Sequence, residues 1–281
     1  MAKQNLLLGH SPDPDDAFMF YALAKGLVSS DKWEFEHILQ DIQTLNERAL
    51  RGELHITAIS IHAYPYLQDR YALLNSGSSM GDGYGPMIVS SRPMDLEELK
   101  GKEILVPGEM TTAFLVLNLL LGKGNFTHRV VMFDQIIGQV KEGSADAGLI
   151  IHEGQLTYAK SGLHLVVDLG QWWLETTNLP LPLGGNVVRR DLGEANMADI
   201  ALVLQRSIEF GLSHRSEAVT HALAYARDMD ESLADRFVGM YVNKWTLDYG
   251  DVGRRAVQHL LDRARAAELI PQCRPVDFIR P

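Results

Sequence analysis

Short apolar runs alternate along this chain with amphipathic runs of about 10–15 residues, and that alternation restricts the fold more than any other feature. An apolar run without internal polar alternation suits a strand covered on both faces. An amphipathic run between two such strands suits the helix that crosses from one to the next. The expectation is an α/β protein. The first strands fall at Asn5–Gly9, Glu34–Leu39 and Ile56–Ser60, followed by Tyr71–Leu74 and Met87–Ser90. Between them lie helices over Asp15–Ala24, stopped at Gly26, and Asp41–Leu50, stopped at Gly52. After Arg92-Pro93 the pattern restarts. A short helix at Asp95–Leu99 precedes strands at Glu103–Val106, Val130–Phe133, Ala147–Ile151 and Leu163–Val167, with helices at Thr112–Leu121, Gln135–Glu142 and Gln171–Thr177. From Ala195 the chain turns helical, over Met197–Leu212, Ser216–Arg227, Ser232–Val242 and Gly253–Leu269.

A chain of 281 residues exceeds what one compact core usually holds. The restart therefore predicts two lobes, a larger one from 1–90 plus 187–281 and a smaller one from 91–186, with the helical C-terminal region packed on one of them. Net charge is −10, which disfavours phosphate backbones and anionic membrane surfaces, so nucleic acid and membrane are not expected partners. A small anion is compatible with that charge, because helix N-termini and local donors can hold one. The single cysteine, Cys273, forms neither an internal disulfide nor a thiolate cage. No run of about eighteen apolar residues occurs, and the three leucines after Asn5 are too few for a signal-peptide core, so a cytoplasmic location is expected.

His152 follows the apolar run Gly148–Ile151. A histidine where a buried strand emerges is partly desolvated, and its neutral ring can take a proton; the competing reading is a packing histidine. Metal binding of the His-Glu-x-x-His kind fails because Leu156 stands where the second histidine is needed, and no metal is expected. In PGEMTTAF (Pro107–Phe114), Thr111 and Thr112 fall at a helix start, either as a carboxylate site or as ordinary N-caps. HSPDPDDAF (His10–Phe18) places aspartates near another helix start, where capping is the commoner role. GDGYGP (Gly81–Pro86) precedes a strand and so does not fit a dinucleotide loop. The glycines of LPLPLGGN (Leu179–Asn186) suit a crossover or a plain turn, and Trp172-Trp173 suits packing. Glu47–Ser60 and Gly138–His152 share one order of helix, glycine, polar loop and strand, ending in Ser60 and His152, though any two such units look alike.

Taken together, HSPDPDDAFMFYAL, LQDIQTLNERALRGELHITAIS, GYGPMIV, VPGEMTTAFLVL, GLIIHEGQLTY, VVDLGQWW and LPLPLGG make the chain resemble the 1,4-dihydroxy-6-naphthoate synthases of the futalosine route to menaquinone. The resemblance implies a two-lobed periplasmic-binding-protein-like type II fold and a lyase that needs no metal or cofactor. Its substrate would be cyclic dehypoxanthine futalosine, a small anion. It further implies that His152 is the proton acceptor. Ala58, Ile59 and Ser60 would bind substrate from the first lobe, and Thr112 and Ala113, beside Thr111, from the second. Part of the family carries Cys and Asn where this chain has Asp13 and Asp15, so the role of that loop is open. Alternatives of the same fold are a chorismate dehydratase of the same pathway, a capture-only solute-binding protein, and a LysR-like effector domain. The last lacks a DNA-binding helix pair ahead of it.

Overall fold

A computed structural model describes residues 3–225 and 230–281. Strands β1 (Gln4–His10), β2 (Trp33–Leu39), β3 (Ile56–Ser60), β4 (Tyr71–Leu74) and β5 (Ser79–Gly81) open the first sheet. The chain then builds a second sheet from β6 (Met87–Ser90), β7 (Glu103–Val106), β8 (Thr127–Val130), β9 (Ala147–Ile150) and β10 (His164–Asp168). It returns to the first sheet through β11 (Leu181–Arg189) and finishes it with β12 (Phe278–Ile279). The first sheet runs β12-β4-β11-β3-β1-β2 with β5 on β11, and the second runs β10-β6-β9-β7-β8. β1 is parallel to β2 and β3, and β7 to β8 and β9, as crossover helices require. β11 lies antiparallel to β3 and β4. Two strands thus sit across the expected lobe boundaries: β6 pairs within the second sheet and the start of β11 within the first.

Local chemistry sets the elements that carry the cleft. β3 is buried at all five positions, Thr57 and Ser60 included. The helix Ile42–Arg51 is capped by Asp41, whose side chain accepts from Thr44 N–H at 3.0 Å, and is stopped by Gly52 at φ 72°, a conformation that suits glycine. Thr111 caps the helix Thr112–Leu121 in the same way, accepting from Phe114 N–H at 3.2 Å. The C-terminal helices Glu194–Ser213, Arg215–Leu223 and Glu231–Tyr241 pack on the first sheet. There Leu6, Leu8, Ile56 and Leu74 share one core with Ile200, Leu204, Ala218 and Val238. The expected helix Ser216–Arg227 ends in part outside the described residues.

Three expectations change. The first long helix is broken into Pro14–Met19 and Tyr21–Ala24, and at the break the buried Phe20 stacks on His10 with 4.7 Å between ring centroids. The strand expected at Val130–Phe133 lies instead at Thr127–Val130, a mostly exposed edge, while Phe133 opens a one-turn helix. Pro182 and the two glycines after it belong to β11, where the pairing to β5 shifts register between Pro182 and Gly184. Among the described residues no helix is long and apolar enough to cross a membrane.

Candidate functional site

A cleft enclosing about 770 Å³, part of it open solvent, lies between the two sheets. That size suits a small organic molecule. It sits beyond the carboxyl ends of parallel strands, where open α/β sheets bind ligands. From the first sheet, the chain after β1 contributes Ser11, Asp13, Asp15 and Asp16, and β3 contributes Ala58, Ile59 and Ser60. From the second, Thr111–Ala113 follow β7 and Ile151 follows β9. Leu183–Gly185 of β11 and Tyr241 of the helix Glu231–Tyr241 close the remaining walls.

The hydroxyls differ in what they have free. Thr111 donates to Gly108 C=O at 2.8 Å while capping its helix, and Thr112 donates to Leu183 C=O at 2.6 Å while accepting His62 N–H at 3.2 Å. Both threonine protons are therefore committed to carbonyls. What this turn can offer an anion is its backbone: the N–H groups of Thr112 and Ala113 come before any helical acceptor, at the positive end of a ten-residue helix. The His62 ring donates to Thr111 C=O at 3.2 Å, and its burial lowers its pKa to about 4, so it stays neutral and binds the turn to the first lobe. Ser60 is different, because its oxygen accepts from Asn46 at 3.0 Å and its proton is not used up.

His152 does not line the cleft, although its neighbour Ile151 does. The ring is buried and turned toward Phe133, donating from Nε2 to the Phe133 carbonyl at 3.0 Å. Its Nδ1 accepts the Gly154 N–H at 2.9 Å, and the Glu153 carboxylate lies 3.7 Å from that nitrogen. Two residues on, Gln155 accepts the Tyr241 hydroxyl at 2.6 Å, joining the second lobe to the wall of the cleft. No group of three or more His, Cys, Asp or Glu side chains among the described residues could hold a metal ion.

The aspartate loop, left open by the sequence, forms the most strongly perturbed part of the cleft. Burial pushes the Asp16 carboxyl up to about 7, against the Ser11 N–H that donates to it at 2.6 Å, and Asp13 adds to the rise. Burial, together with Asp16 and Asp13, holds the Asp15 carboxyl well above the usual range. Carboxyls raised this way are found where proton transfer is needed. The folded state then holds protons that the unfolded chain releases at about pH 4. The contribution of this carboxyl to stability therefore falls as pH rises from about 4 to about 7, by up to about 1.4 kcal/mol per unit for one proton. Asp16→Asn keeps an acceptor for Ser11 and removes one titration, so its urea-unfolding free energy relative to the wild type should rise over that interval. Parallel curves for the two proteins would contradict the assignment.

With this geometry described, three comparisons bear on the chain. A family profile for menaquinone biosynthesis matches residues 6–266. A 1,4-dihydroxy-6-naphthoate synthase of Thermus thermophilus is 43% identical over 272 residues, covering 96% of this chain and 98% of the relative. The chain belongs to this menaquinone biosynthesis family. A synthase of the same name from Streptomyces coelicolor is 37% identical over 279 residues, covering 98% of each. A crystal structure of a protein from Archaeoglobus fulgidus superposes with a TM-score of 0.90 at 44% identity, covering 95% of this chain and 98% of that one. A Candida albicans protein described as having the generic periplasmic binding protein structural fold matches with a TM-score of 0.73 at 14% identity, covering 99% and 97%. That likeness shows the fold.

Proposed function

We propose that this chain is a 1,4-dihydroxy-6-naphthoate synthase that converts cyclic dehypoxanthine futalosine in the interlobe cleft. The observation that carries the reading is one cleft shared by both lobes, with Ala58–Ser60 on one wall and Thr111–Ala113 on the other, in a chain similar over nearly its full length to proteins so named. The lobes would be 3–86 with 181–281, and 87–180, dividing the chain where it passes between the sheets. The substrate carboxylate would meet the Thr112 and Ala113 N–H groups and the Ser60 hydroxyl. No Lys or Arg lines the cleft among the described residues, so the carboxylate is left to these neutral donors. The hydroxyl-rich part of the substrate would meet the acceptors of the Asp13–Asp16 loop. A cytoplasmic location and independence from metal or cofactor are part of the same proposal, supported by the acidic, single-cysteine composition and by a reaction that aromatisation of the product can drive.

His152 is the proposed proton acceptor. It stands one residue from the cleft wall, and turning the ring inward requires exchange of its bonds to Phe133 C=O and Gly154 N–H. A second reading is favoured by the raised carboxyls: Asp15, which already lines the cleft, handles the proton instead. The overall proposal is tested by incubating purified protein with cyclic dehypoxanthine futalosine and following the absorbance of the naphthoate. Steady release of product is expected. Tight binding without product would move the chain to a capture-only role.

A further inference from the structure

We infer that Asn46 is a positioning residue that fixes the direction of the Ser60 hydroxyl proton and so makes Ser60 a donor to the substrate. The inference rests on the reading of Ser60 as a substrate contact.

Asn46 lies in the helix Ile42–Arg51, is fully buried, and does not line the cleft. Its amide orientation is set by chemistry. The Ser60 backbone N–H can only donate, and it donates to Asn46 Oδ1 at 2.8 Å. The amide nitrogen therefore faces Ser60 Oγ at 3.0 Å and the Met110 carbonyl at 3.4 Å. An amide nitrogen also only donates, so Ser60 Oγ is the acceptor in that bond. The one proton of Ser60 has to point elsewhere, and Ser60 lines the cleft. A hydroxyl free to rotate could serve a donor or an acceptor, whereas this one is set to serve an acceptor such as a carboxylate oxygen.

The same amide also ties the two lobes at this point. Met110 precedes the helix start at Thr111-Thr112, and Gln43, three residues before Asn46, accepts the Met110 N–H at 3.0 Å. Asn46 and Gln43 thus hold both backbone groups of Met110 in the second lobe from the first, keeping Ser60 and the Thr112–Ala113 N–H groups in a common frame. Gly108 leaves room for this clamp, since a Cβ there would lie 2.2 Å from Gln43 Oε1. Preorganised donors of this kind lose no binding free energy to reorientation when the ligand arrives.

Asn46→Asp reverses the bond with almost no change of shape. One carboxylate oxygen keeps the Ser60 N–H, while the other accepts the Ser60 hydroxyl proton and withdraws it from the cleft. KM for cyclic dehypoxanthine futalosine should rise by about ten- to a hundred-fold, the worth of one hydrogen bond to a charged group, with kcat moving far less. Ser60→Ala should give a rise of the same order, and adding Asn46→Asp to it should change KM by less than about threefold. Asn46→Ala, which removes the donor without adding a charge, should raise KM less, and again only when Ser60 is present. An equal rise from the Asn46 substitutions with and without Ser60 would place the effect in the fold and overturn the inference. So would a normal KM in both Asn46 variants beside a raised one in Ser60→Ala, or loss of cooperative unfolding in both Asn46 variants. A normal KM in Ser60→Ala itself would instead remove the underlying reading of Ser60 as a contact.

Discussion

Replacing His152 by alanine is expected to lower kcat for cyclic dehypoxanthine futalosine by about a hundred- to ten-thousand-fold, the usual contribution of a positioned base. KM should change little, because the ring does not line the cleft. The ring's bonds explain why the effect should be this selective. Phe133 C=O and Gly154 N–H hold it as one neutral tautomer, with the proton on Nε2 and the lone pair on Nδ1. Rotation toward the cleft gives up both bonds, at a net cost of about 1 kcal/mol each that substrate contacts must offset. Gly154 belongs to this arrangement, since a Cβ there would lie 2.6 Å from the His152 ring. Asp15→Asn, measured beside it, separates the two readings of the proton transfer. A large loss in His152→Ala with a small one in Asp15→Asn supports the histidine. Near-normal turnover in His152→Ala with a collapse in Asp15→Asn would assign the proton to the carboxyl that burial and its acidic neighbours have raised.

Why some of this was legible in the sequence and some was not follows from how far apart the interacting groups lie. β3 and the helix Thr112–Leu121 were readable to the residue, because each is mainly apolar sequence bounded by strong local signals, Gly52 before the one and Thr111 and Gly122 around the other. β8 was misplaced because Val130–Phe133 is the more apolar run, yet Met132 within it is 50% exposed and the pairing falls on the mostly polar Thr127–Val130. The positions after β1, β3, β7 and β9 could be placed near a cleft because parallel strands bring their carboxyl ends together. The direction of the His152 ring could not, since the Phe133 carbonyl that holds it is 19 residues away. Asn46 gave no signal either. On an amphipathic helix it reads as one more polar-face residue, and its role exists only through Ser60, 14 residues on. The raised carboxyls of the aspartate loop likewise come from burial, which no local pattern reports.

Gly170→Ala should destabilise the protein by about 3–5 kcal/mol, at the upper end of what one added methyl does to a packed interior. Gly170 lies in the first turn of the helix Leu169–Thr177, against the GDGYGP segment where the chain leaves the first sheet for the second. A Cβ at Gly170 would stand 1.9 Å from the Tyr84 carbonyl oxygen, 2.1 Å from its carbon and 2.5 Å from Gly85 N. These are backbone atoms, so no rotamer change relieves the clash. The segment has little freedom to retreat: Leu169 N–H donates to Pro86 C=O at 2.9 Å, and a Cβ at Gly81 would itself lie 1.9 Å from Tyr84 O. The glycines that look superficially like a nucleotide loop therefore serve close backbone packing between the crossing segment and a helix. Gly138→Ala is the matched control. It makes the same chemical change inside the helix Ile136–Lys141, where a Cβ meets nothing within 4 Å, and it should stabilise by up to about 1 kcal/mol through helix propensity. Urea unfolding of the three proteins decides the matter. A Gly170→Ala midpoint close to that of the wild type would mean that the Tyr84–Gly85 backbone can move by more than an ångström without cost, and that the passage between the sheets is not clamped there.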